Sequence, residues 1–200
     1  MKSQFINPIF TDVINLYHLT DNIDSGFANP YELNTLKNLL FEKCWIDTVQ
    51  WHLEDIIRKP DLDPKKGLEI KHRIDTSNQN RTDIVEKIDD YYFHKYKDIK
   101  SKENRINTES PGWVVDRMSI LCLKIYHMKE QALRKDVTTI HLKNCEEKLS
   151  VLLEQQLDLS GAFDELLDDY ENGFKKMKVY RQMKMYNDTS LNPELYRKKK

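Results

Sequence analysis

The chain has 200 residues, 39% hydrophobic and 32% charged, with 32 Lys and Arg against 33 Asp and Glu for a formal net charge of −1. A chain this long buries roughly 70% of the surface its unfolded form exposes, so it needs no disulfide or metal to stay folded. The near-neutral balance excludes a wholesale nucleic-acid binder, and 5 Gly with 6 Pro favour helices over turn-rich β structure.

Asn7-Pro8 predicts the start of a short helix with Ile9, Phe10, Val13, Ile14 and Tyr17 inward. Thr20 to Ala28 reads as a loop. Asn29-Pro30 carries a cap-plus-proline signal, and a long helix is expected from there to about Arg58, before Lys59-Pro60. Between Leu39 and Ile57 that helix is apolar on nearly every side, the mark of an element surrounded by protein. Its embedded Glu42, Asp47, His52, Glu54 and Asp55 therefore need partners.

Asp63-Pro64 opens a second long helix to about Tyr96, whose inner stripe is interrupted by Ser77, Asn78 and Arg81. After a polar connector, Ser110-Pro111 starts a third, to about Arg134, apolar at Val114, Met118, Leu121, Ile125 and Met128. A neighbouring stripe carries Asp116, Arg117, Lys124 and His127. Asp136 is the expected cap of a fourth, with Ser160-Gly161 a candidate bend and Gly173 its stop. Four long helices with mostly short links predict an all-α fold. The expected arrangement is an antiparallel four-helix bundle with a short N-terminal helix over 1–172 and a basic extension over 173–200.

Cys44, Cys122 and Cys145 lack CxxC spacing and read as buried reduced thiols. The N-terminus has no apolar signal-peptide core, and no run reaches the ~18 apolar residues of a membrane span. Together these predict a soluble, cytoplasmic protein with no transmembrane segment.

Several blocks resemble a bacterial family catalogued as domain of unknown function 4254. They include Gln50-Trp-His-Leu-Glu-Asp-Ile-Ile-Arg58, Asn107-Thr-Glu-Ser-Pro111, Asp116-Arg-Met-Ser-Ile-Leu121, Leu123-Lys-Ile-Tyr-His-Met128 and Met177 to Asn187. The resemblance runs from about Asn29 to Tyr196 and supplies no catalytic residues. It implies an association with cell-envelope glycan metabolism, because similar proteins are often encoded beside glycosyltransferases.

Where antiparallel helices face each other, index sums set Arg81 near His127 and Glu42, Asp83 near Lys124, Lys124 near Glu147, and Arg117 near Glu154. An anionic ligand, a nucleotide or nucleotide-sugar, would then sit on Asn78, Arg81, Arg117 and Lys124, with His127 as acid or base. Glu42, Asp83, Asp116 and Glu147 would be supporting carboxylates. The competing explanation is an ion-pair network that sets helix register. A binding or interaction module, with an anionic ligand or a protein as partner, is the expected role, and an enzyme on the same ligand the alternative.

No metal ligand is assigned. Glu69-x-x-His72 is a single copy of a spacing that di-iron bundles use twice, and His52/Asp55, His72/Asp75 and His127/Glu130 run in the opposite order. Magnesium is the one cofactor suggested, through Asp164-Glu165-x-x-Asp168-Asp169 and Glu86-x-x-Asp89, although no P-loop accompanies it. Those acids also read as a solvated face or as partners of the tail, which has nine Lys and Arg against two acids from Gly173 to Lys200. The tail is the one stretch suited to nucleic acid or a membrane surface. Its blander reading has Val179, Tyr180, Met183 and Tyr186 packed on the bundle with lysines in water.

Overall fold

The computed structural model describes residues 1–186 and 188–197. Among them are six helices: α1 Ser3–Tyr17, α2 Leu36–Ile57, α3 Pro64–Tyr96, α4 Pro111–Ala132, α5 Thr139–Glu171 and the four-residue α6 Pro193–Tyr196. None is long and apolar enough to cross a membrane. The architecture is the expected helical bundle. α4 lies at its centre, packing on α1, α2, α3 and α5.

α1 begins earlier than its proline signal suggested. Pro8 lies inside the helix, and the N-terminal amide and hydroxyl of Ser3 donate to the two Asp164 oxygens on α5 at 2.7 and 2.8 Å. Ile6, Ile9, Phe10, Val13, Ile14 and Tyr17 are all buried, so α1 is a full member of the core. α2 starts at Leu36 rather than at Asn29-Pro30. Thr35 caps it by accepting the Asn38 amide, and the preceding turn needs Asn34 at φ 64, left-handed backbone that asparagine tolerates.

The α4 start is built from two helices. Pro111 takes the first position as expected, but Ser110 makes no side-chain cap within its own helix. Asp89 on α3 instead accepts from the Ser110 hydroxyl and from the Gly112 amide, each at 2.6 Å. A Cβ on Gly112 would lie 2.5 Å from the Val85 carbonyl oxygen, so glycine is what permits this approach. The cap of α5 is Thr138, not Asp136, and α5 runs through Ser160-Gly161 without a break. It ends at Gly173, whose φ of +74 is the left-handed stop the sequence predicted.

Beyond α5 the tail lies along the bundle. Met177 is buried and Val179 packs on the core, whereas Tyr180, Met183 and Tyr186 are exposed, against expectation. Arg181 bridges Glu86 and Asp90 on α3, and the Lys184 ammonium donates to the Asn78 carbonyl. The terminal bases 198–200 lie outside the described residues. The three cysteines are free and buried, as expected.

Candidate functional site

Two polar constellations and one cleft lie along α4, which packs on α1, α2, α3 and α5. The first constellation is a buried ion quartet. Lys43 and Asp47, one turn apart on α2, have no exposed side-chain surface and pair directly. Lys43 also reaches Asp116 on α4 at 2.9 Å, and Arg81 on α3 grips Asp116 with Nε and Nη2 at 2.7 and 2.6 Å. The Ser119 hydroxyl donates to Asp47 Oδ2 at 2.6 Å.

Two cations and two carboxylates leave the quartet formally neutral, the condition under which buried charges persist. Burial pushes the Asp47 carboxyl up, more than Lys43 offsets. Burial also raises Asp116, but the Arg81 hydrogen bonds and Lys43 outweigh it and hold this carboxyl below the usual range. Beside the quartet, the Gln50 amide donates to Asn78 Oδ1 at 2.8 Å and its carbonyl accepts from Ser77 at 2.9 Å. The polar interruption of α3 is thus answered by α2 and α4.

The sequence arithmetic misplaced several partners. No hydrogen bond joins Arg81 to His127 or Glu42 among the described residues; Asp47 and Asp116 occupy its guanidinium. Arg117 is exposed and pairs with Glu109, not Glu154. Asp83 lies on an exposed face and accepts from Gln79. Index sums find helical height but are blind to rotation about the axis, and each of these residues points a different way around its helix. Lys124 and Glu147 both line the cleft described next, with no ion pair between them.

α2 and α5 both pack on α4 with little direct contact between them, and the gap is a cleft of about 810 Å³. One face of each helix lines it: Trp51 and Asp55 from α2; Lys124, His127, Met128 and Gln131 from α4; Asn144, Glu147, Lys148, Val151 and Leu152 from α5. The spacings are i, i+3, i+4, i+7, the helical face rule. The cleft's lining surface is mostly apolar. Lys124 and Lys148 enter no hydrogen bond or ion pair among the described residues. A smaller recess of about 270 Å³ adjoins it through Trp51 and Asp55 and has Asp47 and Arg81 in its wall. Arg81 therefore borders one space, and Lys124 and His127 the other.

His127 belongs to the second constellation. Its Nδ1 contacts Glu130 at 2.8 Å, while its Nε2 is buried without a partner. His18, just past α1, and His52 on α2 present their own unpartnered Nε2 atoms to the same interior, and the three imidazoles stand edge to edge with centroids 5.2–5.5 Å apart. Burial, then the neighbouring histidines, pull the His52 imidazole down, favouring its neutral form. His52 was legible as a buried polar residue of an all-apolar helix. Lys43 and His18 were missed, since a lysine on a long helix and a histidine at a helix end carry no sequence signal of burial.

Five of the six acids proposed for magnesium are engaged elsewhere: Asp164 at the α1 start, Asp168 with Lys2, Asp169 with Lys175, Glu86 with Arg181 and Asp89 at the α4 start; Glu165 is exposed. Glu69 and His72 are both exposed.

These features define an all-helical bundle with a charged interior and an amphipathic cleft. The chain belongs to the family described as "Protein of unknown function (DUF4254)", whose model matches residues 37–179. That span covers α2 to α5 and the start of the tail; α1 and His18 precede it. No curated protein and no solved structure matches the chain.

Proposed function

We propose that the protein is a small-molecule-binding module whose ligand is an amphipathic anion, held in the cleft between α2, α4 and α5. The observation that carries this reading is the pairing of a mostly apolar lining with two unpaired lysines. Trp51, Met128, Val151 and Leu152 offer an apolar surface to a ring or acyl body, and Lys124 and Lys148 offer charge to a phosphate or carboxylate. The volume, about 810 Å³, lies within the usual range for ligand sites. Asp55, Glu147, Gln131 and Asn144 suit hydroxyl or amino groups of the same ligand, which makes nucleotides and nucleotide-sugars the first probes. A place in cell-envelope glycan metabolism is part of the proposal and rests on the family resemblance alone; a cytoplasmic location is part of it too and rests on the free cysteines and the N-terminal sequence.

Arg81, Asn78 and Asp116 are assigned a supporting role, positioning α2 and α4 behind the cleft. Catalysis is not part of the proposal, because Nδ1 of His127 is engaged by Glu130 and its Nε2 is buried. The test is thermal shift against nucleotides, nucleotide-sugars and acyl phosphates. A ligand at 100 times its Kd adds about 2.7 kcal/mol, or roughly 5–10 °C for a domain of this size. The rise should vanish in Lys124→Glu and Lys148→Glu, both surface changes that leave the fold intact. No shift with any probe, or a shift indifferent to both variants, would remove the cleft as a ligand site.

A further inference from the structure

His18, His52 and His127 come from three separate places in the chain, and each offers a ring nitrogen within 4.8 Å of the other two. Each ring is clamped by an aromatic partner: Tyr126 stacks on His18 at 4.2 Å, Tyr17 on His52 at 4.8 Å and Trp51 on His127 at 4.8 Å. The other ring nitrogens fix the tautomers. His18 Nδ1 lies 2.7 Å from the Ile14 carbonyl oxygen, and His127 Nδ1 lies 2.8 Å from a Glu130 oxygen. Neither oxygen can donate, so the neutral tautomer of both rings carries its proton on Nδ1 and its lone pair on Nε2.

Three buried Nε2 atoms without partners thus face one interior point. Unpartnered lone pairs gathered together are costly unless one acceptor of electron pairs satisfies them all. A histidine whose distal N–H is held by a carbonyl or carboxylate is also the arrangement that orients metal ligands. We propose that His18, His52 and His127 hold a divalent transition-metal ion of the zinc class, with Asp21 as the fourth ligand.

Imidazole nitrogens suit zinc, and a closed four-ligand set is the structural kind of site. Asp21 Oδ1 already lies 3.9 Å from His18 Nε2, on an exposed side chain that is free to rotate. Its backbone holds φ 47, and its amide donates to the Tyr17 carbonyl at the end of α1 at 3.1 Å. Tetrahedral bonds of about 2.0–2.1 Å put ligand nitrogens roughly 3.4 Å apart, so the rings must close inward by about 1 Å. The ion would lock the end of α1 to α2 and α4. The inference is independent of the cleft ligand, because its test uses metal alone.

The experiment is metal titration of the full chain with Zn²⁺ and with Co²⁺ as the spectroscopic probe. Expected are one equivalent per chain by elemental analysis, the intense visible absorption of tetrahedral Co²⁺, and a metal-dependent rise in Tm. His52→Gln and His18→Gln should each abolish the absorption, and Asp21→Asn should weaken binding at least tenfold. A variant with His72, His94 and His141 all changed to Gln should bind as the wild type does. Should the histidine variants fail to fold, X-ray absorption of the zinc-loaded wild type decides: three imidazoles in the first shell are expected. Absence of binding, which would mean a buried water bridges the rings, overturns the proposal. So does a sulfur ligand from the His141–Cys145 pair, or loss of metal in the His72, His94 and His141 variant.

Discussion

Arg81 holds Asp116 through two parallel contacts, Nε to Oδ1 at 2.7 Å and Nη2 to Oδ2 at 2.6 Å, and so ties α3 to α4, while Lys43 of α2 reaches the same carboxylate at 2.9 Å. Removing Asp116 leaves Lys43 and Arg81 sharing one carboxylate. Asp116→Ala is expected to cost about 3–5 kcal/mol, read from the urea midpoint. Replacing the whole quartet with Lys43→Met, Asp47→Leu, Arg81→Met and Asp116→Leu should cost far less, since no charge is then stranded. If the single change proved as mild as the quadruple one, the quartet would not matter to stability.

Gly112 and Asp89 form a second joint between α3 and α4. Gly112→Ala drives a Cβ against the Val85 carbonyl oxygen and the Asp89 carboxylate, at 2.5 and 2.7 Å. The expected loss is about 1–3 kcal/mol. Asp89→Ala keeps the approach but removes the acceptor for Gly112 and Ser110, at a cost of roughly 0.5–2 kcal/mol. Thermal unfolding of both variants checks the pair; an unaffected Gly112→Ala would mean that α4 can step away from α3 freely.

Tyr17 is fully buried, yet its hydroxyl has no partner among the described residues. Tyr17→Phe removes an unsatisfied polar atom at constant shape and should leave stability unchanged or raise it by up to about 1 kcal/mol. The same phenol gives a pH signature. Burial raises Tyr17 and Tyr170 to about 12 from the ordinary 10. Both therefore hold their protons more tightly folded than unfolded. Stability is full below pH 10 and falls as pH rises through about 12. Denaturation midpoints across that window should drop less steeply in Tyr17→Phe than in the wild type, and identical slopes would contradict the burial of this phenol.

The tail offers a contrast between packing and charge. Met177 is buried, and Met177→Ala should cost about 2 kcal/mol or more. Arg181 bridges Glu86 and Asp90 on the surface, and Arg181→Ala should cost under about 1 kcal/mol, shrinking further in high salt. Equal effects from the two changes would mean that the tail is held by its charges.

Much of the architecture could be read from local chemistry. Pro64, Pro111 and Gly173 mark three helix boundaries because the proline ring and the left-handed glycine act within a residue or two of themselves. Asn29-Pro30 misled, because the same ring also fits a turn, and the capping hydroxyl of Thr35 fixed the start of α2 instead. The site was harder. Asp47 and His52 stood out as polar residues on an apolar helix, but Lys43 did not, since a long side chain ordinarily reaches water.

By itself, then, the sequence determined the four long helices and the short one near the N-terminus, through periodicity and caps that each residue carries locally. Only the tertiary structure decided which charges meet. Arg81 turns to Asp116 rather than His127, and His18, 34 residues from His52 and further still from His127, joins both. Those outcomes depend on the rotation of each helix about its axis, which is set by packing against all its neighbours at once and is written at no single position.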